Sequence, residues 1–285
     1  MSPEHSSPVR IRLRNIATTL SPYAGAGAGV NTGKGYLFWS MNESGKEEKG
    51  NPKPARNSFL PGKTTFQLVL STSETNTDAL KQAIASIWLL TNLGGIGARS
   101  RRCAGNLTVT NVEHNITSLS FSQQATALSL KKYLEEGLTT ARKLYGYTEH
   151  PQKETAPFDI LADGVSHISI LLNKYTDVQG ILKEQYWGNV NDALNDIGTA
   201  LKMGRTKQMS PKGLTKIPLK NRQIFGLPLT GLNEEDRRAS PLLLKVTKLQ
   251  SGFVGVAVLF KTQNRDYTLI DNFFKQFSNV QEVNV

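Results

Sequence analysis

The chain has 285 residues, and its 34 lysines and arginines outnumber its 23 aspartates and glutamates, for a formal charge of +11. This balance favours a polyanionic partner, above all nucleic acid. A hydrophobic content of 38% suffices for packed cores and excludes a wholly disordered chain. No apolar stretch is long enough to span a bilayer and no secretory leader pattern is present, so we expect a cytoplasmic protein without a membrane partner.

Cysteine and histidine usage argues against metal or cofactor chemistry. Cys103 is the one cysteine, which excludes an internal disulfide and a thiolate cluster. The four histidines are scattered, with no carboxylate or cysteine at ligand spacing. The glycine-rich residues 24–36 do not match a phosphate-binding P-loop, because Ala28 and Gly35 occupy two of its required positions. We therefore expect no catalytic residue, no metal and no cofactor.

Alternation of apolar and basic residues predicts a first strand over residues 8–16. Its two faces carry Val9, Ile11 and Leu13 on one side and Arg10, Arg12 and Arg14 on the other. The basic face is either solvated or turned towards nucleic acid. A long loop follows, and it holds Lys34, Tyr36 and Arg56. Tyr36 is interpreted either as a base-stacking residue or as a buried sheet aromatic.

Residues 64–70 predict a second strand, and residues 79–93 predict a helix capped by Thr77 or Asp78. Trp88 falls on the apolar stripe of this helix, so we expect it in the core. The helix leads into LGGIGARSRRCAGNL, which combines glycines with closely spaced arginines. Glycines permit close backbone approach to oxyanions, and guanidinium groups match phosphate geometry. The loop is therefore interpreted as a polyanion site, the alternative being a tight turn with solvated arginines.

Further elements are predicted in chain order. A strand begins at Leu107, and helices lie near residues 123–145 and 178–203. Residues 202–222 carry many cations without an acid and are predicted to be a basic flexible loop that includes Arg205 and Lys207. A strand pair follows up to residue 260, and residues 267–277 form an amphipathic helix. The motifs SSPVRIRLRNI and ASPLLLKVTKL resemble one another, which suggests duplicated domains.

Three motifs, GGIGARSRRCAG, IFGLP and RRASPLLLKV, together resemble the RAMP superfamily of CRISPR-associated proteins. Within it they are most similar to the first subunit of the Cmr module of type III-B effector complexes. The resemblance covers residues 7–112 and 224–260. It implies an α+β fold of two ferredoxin-like (RRM-like) domains. We assign the first to residues 1–120, with its N-terminal elements missing, and the second to residues 121–285, with a helical insertion and the basic loop.

The resemblance also implies a function in antiviral defence: RNA binding within a ribonucleoprotein, without catalysis. The expected partners are CRISPR RNA, target RNA, other RAMP subunits and a separate polypeptide that supplies the missing N-terminal segment. The candidate RNA-binding residues are Gly94, Gly95, Gly97, Arg99, Ser100, Arg101, Arg102, Lys34, Tyr36, Arg56, Arg205 and Lys207. Two alternatives stay open: a RAMP endoribonuclease using Asp159 or Asp163, and an architectural subunit without RNA contacts.

Overall fold

A computed structural model describes residues 7–17, 32–38, 62, 64–147, 159–162, 166–176, 182–210, 213–217, 225, 240–261 and 267–284. The helices are α1 (Gly33–Leu37), α2 (Thr77–Leu93), α3 (Ala127–Leu144), α4 (Val190–Thr206) and α5 (Thr268–Phe274). The strands are β1 (Val9–Ala17), β2 (Thr65–Thr72), β3 (Ser166–Thr176), β4 (Leu182–Gln185), β5 (Lys207–Ser210), β6 (Gly213–Lys216), β7 (Leu242–Leu249), β8 (Gly252–Phe260) and β9 (Ser278–Val283).

A five-stranded antiparallel sheet forms the centre of the described molecule. Its strands follow the order β4, β3, β8, β7, and β9 pairs with β3. Two smaller antiparallel pairs, β1 with β2 and β5 with β6, complete the strand pairing. β7 and β8 form a hairpin in register from Leu242 opposite Leu259 to Leu249 opposite Gly252. The segment of residues 93–107, here called the glycine-arginine loop, lies on the β7 edge of the central sheet.

Helices cover both faces of this sheet because its strands are apolar on both sides. On β8, Val254, Val256 and Val258 pack against α2 and α3, whereas Ala257 and Leu259 pack against α4 and α5. Alternate strand residues point to opposite faces, so one strand contributes to two cores. The result is a helix–sheet–helix arrangement of three layers.

The predicted α2 helix is confirmed, and so is the core position of Trp88, which is fully buried. Its indole Nε1 donates to the Ser120 carbonyl at 2.9 Å. Gly137 of α3 makes room for the ring, since a Cβ there would lie 2.0 Å from Trp88 Cζ2. α2 and α3, which fall in the two different predicted domains, thus share one core. The division at residue 120 itself stays a prediction.

Three expectations about secondary structure are wrong. Residues 107–112 form no strand, because the described backbone pairing of the preceding loop with β7 ends at Cys103. α4 begins at Val190 rather than near residue 178, since Trp187 pairs with Phe253 and residues 182–185 join the sheet. The described part of the predicted basic loop is the end of α4 and the β5–β6 hairpin. Lys202 and Arg205 belong to an amphipathic helix that buries Leu201 and Gly204, and Lys207 and Lys216 lie in the hairpin.

The α+β class is confirmed, while the ferredoxin-like subdivision stays a prediction. Within the described ranges, no helix combines the length and the apolar character needed to cross a bilayer.

Candidate functional site

The glycine-arginine loop closes on itself directly after α2. Gly94 caps the helix by donating to the Leu90 carbonyl at 3.1 Å, and the Ile96 amide donates to the Gly105 carbonyl at 3.0 Å. Between these two points the backbone turns through left-handed conformations at Gly97, Arg99, Cys103 and Gly105, with φ of 80°, 63°, 65° and 63°. Left-handed conformations are costly for residues with a Cβ, so the turn at Arg99 and Cys103 has to be held by surrounding contacts.

The edge of the central sheet supplies those contacts. Cys103 donates its amide to the Leu244 carbonyl at 2.9 Å, and Leu244 donates to the Arg101 carbonyl at 3.2 Å. Arg102 and Leu244 thereby form a parallel bridge that extends the sheet beyond β7. The Cys103 side chain is buried in the core between the sheet and α4. The loop is therefore a rigid extension of the sheet edge.

We expect Gly105→Ala to destabilise the protein by about 2 kcal/mol more than Gly97→Ala, because both residues have positive φ but only Gly105 is crowded. A Cβ at Gly105 would lie 1.7 Å from the Ile96 carbonyl oxygen, whereas a Cβ at Gly97 meets nothing within 4 Å. Urea unfolding of the two variants measures the difference. Equal losses of stability in the two variants would show that the backbone at Gly105 does not lie in close contact with Ile96.

Three arginine side chains lie near Tyr36 beside this loop. Arg205, near the end of α4, donates from Nη1 to the Tyr36 hydroxyl at 3.2 Å. Arg102 lies near enough to the same tyrosine side chain to interact with it, and Arg99 and Arg205 are near enough to Arg102 to repel its positive charge. All four side chains are half-buried. We call Tyr36, Arg99, Arg102 and Arg205 the arginine cluster.

The positive charges of the arginine cluster are partly buried and repel one another. Burial lowers the pKa of Arg102; the nearby Tyr36 counteracts this, and repulsion from Arg205 and Arg99 adds to it. The pKa of Arg99 is lowered by burial and by Arg205. Among the described residues, no carboxylate forms an ion pair with Arg102 or Arg205. Converging half-buried cations are costly unless an anion compensates them.

Tyr36 lies half-buried on helix α1, so its interpretation as a buried sheet aromatic is wrong. A close contact between α1 and α4 brings Tyr36 to the arginines. A Cβ at Gly33 would lie 1.7 Å from the Asn195 carbonyl oxygen, and a Cβ at Gly198 would lie 2.0 Å from the Gly33 carbonyl oxygen. The Gly33 amide donates to Asn195 Oδ1 at 3.0 Å, and Thr32 caps α1 by accepting from the Gly35 amide at 3.0 Å. Glycine at both positions allows two backbones to touch.

The structure separates two predicted residues from the cluster. The guanidinium of Arg101 donates from Nη1 to the Ser240 carbonyl, so it braces the segment that enters β7. Lys34 donates from Nζ to Asn191 Oδ1 at 2.9 Å, in the first turn of α4. Asn191 and Arg205 are 14 residues apart on this helix, which is about 21 Å at 1.5 Å per residue. The ammonium group of Lys34 is thus directed towards the start of α4, away from Arg205, although Lys34 is only two residues from Tyr36.

The other predicted site residues are distributed as follows. Gly94, Gly95 and Gly97 shape the loop, and a Cβ at Gly95 would lie 3.1 Å from the Ala104 carbonyl oxygen. Ser100 is half-buried within the loop. Arg56 lies outside the described residues, and of Lys207 only the backbone, the first residue of β5, is described. The candidate site thus comprises fewer residues than the sequence predicts.

Sequence reasoning missed Lys245, which lies beneath the loop. The residue is 3% exposed, and its Nζ lies 3.5 Å from the Gly94 carbonyl oxygen and 3.4 Å from that of Leu107, one near each end of the loop. Burial lowers its pKa to about 8. The C-terminal end of α2 favours a cation there, because helix carbonyls carry partial negative charge. A lysine within the apolar strand LLLKVTKL was the available sequence signal.

The other residues considered for catalysis are Cys103, Asp159 and Asp163. Burial raises the pKa of Cys103 to about 12 although Arg102 and Lys245 act in the opposite direction. Asp159 accepts hydrogen bonds from the Tyr147 hydroxyl and, at 2.9 Å, from the Leu161 amide. Asp163 lies outside the described residues.

Fold and site together define a mixed α/β protein whose arginine cluster joins a glycine-rich loop to a helix. No protein-family model matches the chain. Its sequence is 24% identical over 220 residues to the CRISPR system Cmr subunit Cmr1-1 of Pyrococcus furiosus, covering 75% of this chain and 56% of that protein. The matched region therefore spans little more than half of the relative.

The crystal structure of apo Cmr1 from Pyrococcus furiosus has a similar fold, with a TM-score of 0.62 and 18% sequence identity. The superposition covers 99% of this chain and 79% of that structure. The chain is therefore similar to Cmr1 in sequence and fold, which confirms the resemblance to the first Cmr subunit that its three motifs predicted.

Proposed function

We propose that the chain is an RNA-binding subunit of a type III CRISPR effector complex and that its arginine cluster holds a phosphate of the RNA backbone. The likeness to Cmr1 supports membership of such a complex, together with other Cmr subunits. The observation that carries the RNA contact is the grouping of Arg99, Arg102 and Arg205 around Tyr36, without a described carboxylate partner for Arg102 or Arg205.

Guanidinium groups bind phosphate through charge-assisted hydrogen bonds, and the tyrosine hydroxyl can donate to a phosphate oxygen. Burial is the main cause of the lowered pKa of Arg102, and a bound phosphate would offset the repulsion from Arg205 and Arg99 that adds to it. The cluster would bind the backbone and read no base, so we propose affinity without sequence specificity. RRM-like domain organisation and contact with both CRISPR RNA and target RNA belong to the same proposal.

The proposed role is binding without catalysis. In support, the Asp159 carboxylate accepts hydrogen bonds from the Tyr147 hydroxyl and the Leu161 amide. Within the part of the chain that the structure describes, no three histidine, cysteine or acidic side chains are grouped to hold a metal ion. Incubation of labelled RNA with the purified protein, with and without magnesium, tests this: intact RNA is expected, and cleavage lost in an Asp163→Ala variant would contradict it.

The RNA contact is tested by replacing Arg99, Arg102 and Arg205 with glutamine and measuring the affinity for single-stranded RNA across salt concentrations. Each phosphate contact contributes about 0.7 to the slope of log affinity against log salt for single strands, so the slope should fall by about 2. Tyr36→Phe should weaken binding without that fall, because it removes a hydroxyl and no charge. Arg101 is retained, since its guanidinium binds Ser240.

A matched control removes the same charge elsewhere. Lys131, Lys132 and Lys143 lie on α3, which packs on the opposite face of the sheet from α4. Their triple replacement by glutamine should leave the slope nearly unchanged. Equal slopes for the cluster variant and the unaltered protein would overturn the arginine cluster as the RNA contact, and equal losses in both variants would show an effect of net charge instead of a contact at the cluster.

A further inference from the structure

Strand β1 carries a row of arginines that the proposed site does not use. β1 pairs with β2 so that Arg10 lies opposite Ser71, Arg12 opposite Val69 and Arg14 opposite Gln67. Residues directly opposite in an antiparallel pair share one face of the sheet. The three guanidinium groups therefore lie on one face, and none has an acidic residue across the strand pair.

The row is solvated and uncompensated. All three arginines are exposed, and none forms an ion pair with a residue that the structure describes. Glu113 reaches this face, but it accepts a hydrogen bond from Gln67 at 3.4 Å instead of pairing with Arg14. Three like charges on one strand repel one another, which destabilises the strand unless a polyanion compensates them.

The geometry of a strand suits an extended anionic polymer. Side chains on one face recur every second residue, or about 6.8 Å at 3.4 Å per residue in an antiparallel strand. Consecutive phosphates of an extended single-stranded nucleic acid are separated by a similar distance, so successive arginines can each meet one phosphate. β1 is also the outer strand of its two-stranded sheet, with β2 on its one paired edge among the described residues. A strand of nucleic acid can therefore lie along it.

We propose that Arg10, Arg12 and Arg14 form a second RNA-binding surface, which holds three consecutive phosphates of single-stranded RNA along β1. This proposal depends on the proposed function only in taking RNA as the ligand, because none of the three arginines belongs to the arginine cluster. A protein partner would instead be expected on the opposite face, where Ile11 and Leu13 are 64% and 55% exposed.

The test compares four proteins: the unaltered chain, the Arg10/Arg12/Arg14→Gln variant, the cluster variant and the combination of both. Affinity for a single-stranded RNA of about 20 nucleotides is measured across salt by fluorescence anisotropy. We expect the β1 variant to lose about 2 units of salt slope and at least tenfold in affinity at low salt. Circular dichroism and thermal unfolding establish that each variant is folded.

Two further variants separate charge from strand integrity. Arg10/Arg12/Arg14→Lys should retain most of the slope, because lysine also neutralises phosphate. Ile11→Thr with Leu13→Thr alters the opposite face and should leave RNA binding unchanged. An unchanged slope in the β1 glutamine variant overturns the second surface whatever the cluster variant does. A loss in the β1 variant alone sustains the second surface and overturns the proposed site at the arginine cluster.

Discussion

Gly198→Ala is expected to lower the free energy of unfolding by about 2–3 kcal/mol, although alanine is the better helix former. Gly198 lies inside α4, where an exposed alanine would stabilise the helix by up to about 1 kcal/mol. The added Cβ, however, would lie 2.0 Å from the Gly33 carbonyl oxygen and 2.3 Å from its carbonyl carbon. These are backbone atoms, which cannot rotate away as a side chain does, so α1 has to move.

The displacement of α1 links this packing defect to function. Tyr36 lies on α1, and its hydroxyl accepts from Arg205 on α4. When α1 shifts, the tyrosine leaves the arginines, so we expect RNA affinity to fall together with stability. Gly188→Ala is a suitable control, because a Cβ there meets nothing within 4 Å. A Gly198→Ala protein that is more stable than the unaltered chain would contradict the helix contact.

Lys245→Met is expected to raise the free energy of unfolding at pH 7 by an amount on the order of 3 kcal/mol. Lys245 is 3% exposed, and burial lowers its pKa from 10.5 to about 8. Each unit of difference between the folded and the unfolded pKa corresponds to about 1.4 kcal/mol. Below pH 8 the folded protein keeps a desolvated cation, and this costs stability that an apolar side chain of similar length does not.

The pH dependence of that difference is the decisive measurement. Between pH 8 and 10.5 the folded protein has released the proton of Lys245 while the unfolded chain still binds it, so the stability contributed by this residue rises with pH. The advantage of the methionine variant should therefore shrink across this window and nearly vanish above it. Urea titrations of both proteins at pH 7, 8, 9 and 10 follow the difference. A difference that is constant with pH would show that Lys245 does not titrate in this range.

Local signals were sufficient for several elements. α2 was predicted correctly because its apolar residues recur at helical spacing and its glycines mark its end at residue 93. β1, β2 and the β7–β8 hairpin follow from alternation and from turn residues. These patterns report interactions between residues that are close in sequence. They need no knowledge of what the element packs against.

Elements that depend on distant partners were not predicted. β3 is buried on both faces, with Ile170, Leu171 and Leu172 all fully buried, so its sequence lacks the alternation that reveals a strand. Residues 107–112 have some alternation but no strand partner among the described residues. The last turn of α4 was mistaken for a loop because its cations conceal the small buried residue Gly204.

The amino-acid sequence by itself determined the basic character of the protein, its glycine-arginine loop and its resemblance to RAMP proteins, since each of these depends on residue types at short spacing. Only the tertiary structure decided which arginines act together. Arg101 and Arg102 are neighbours in sequence, yet one binds Ser240 and the other meets Tyr36 and Arg205. Their side chains diverge because the loop pairs with β7, and the contact of two glycines carries Tyr36 to the cluster. Contacts between residues more than 60 positions apart leave no periodic trace in the chain.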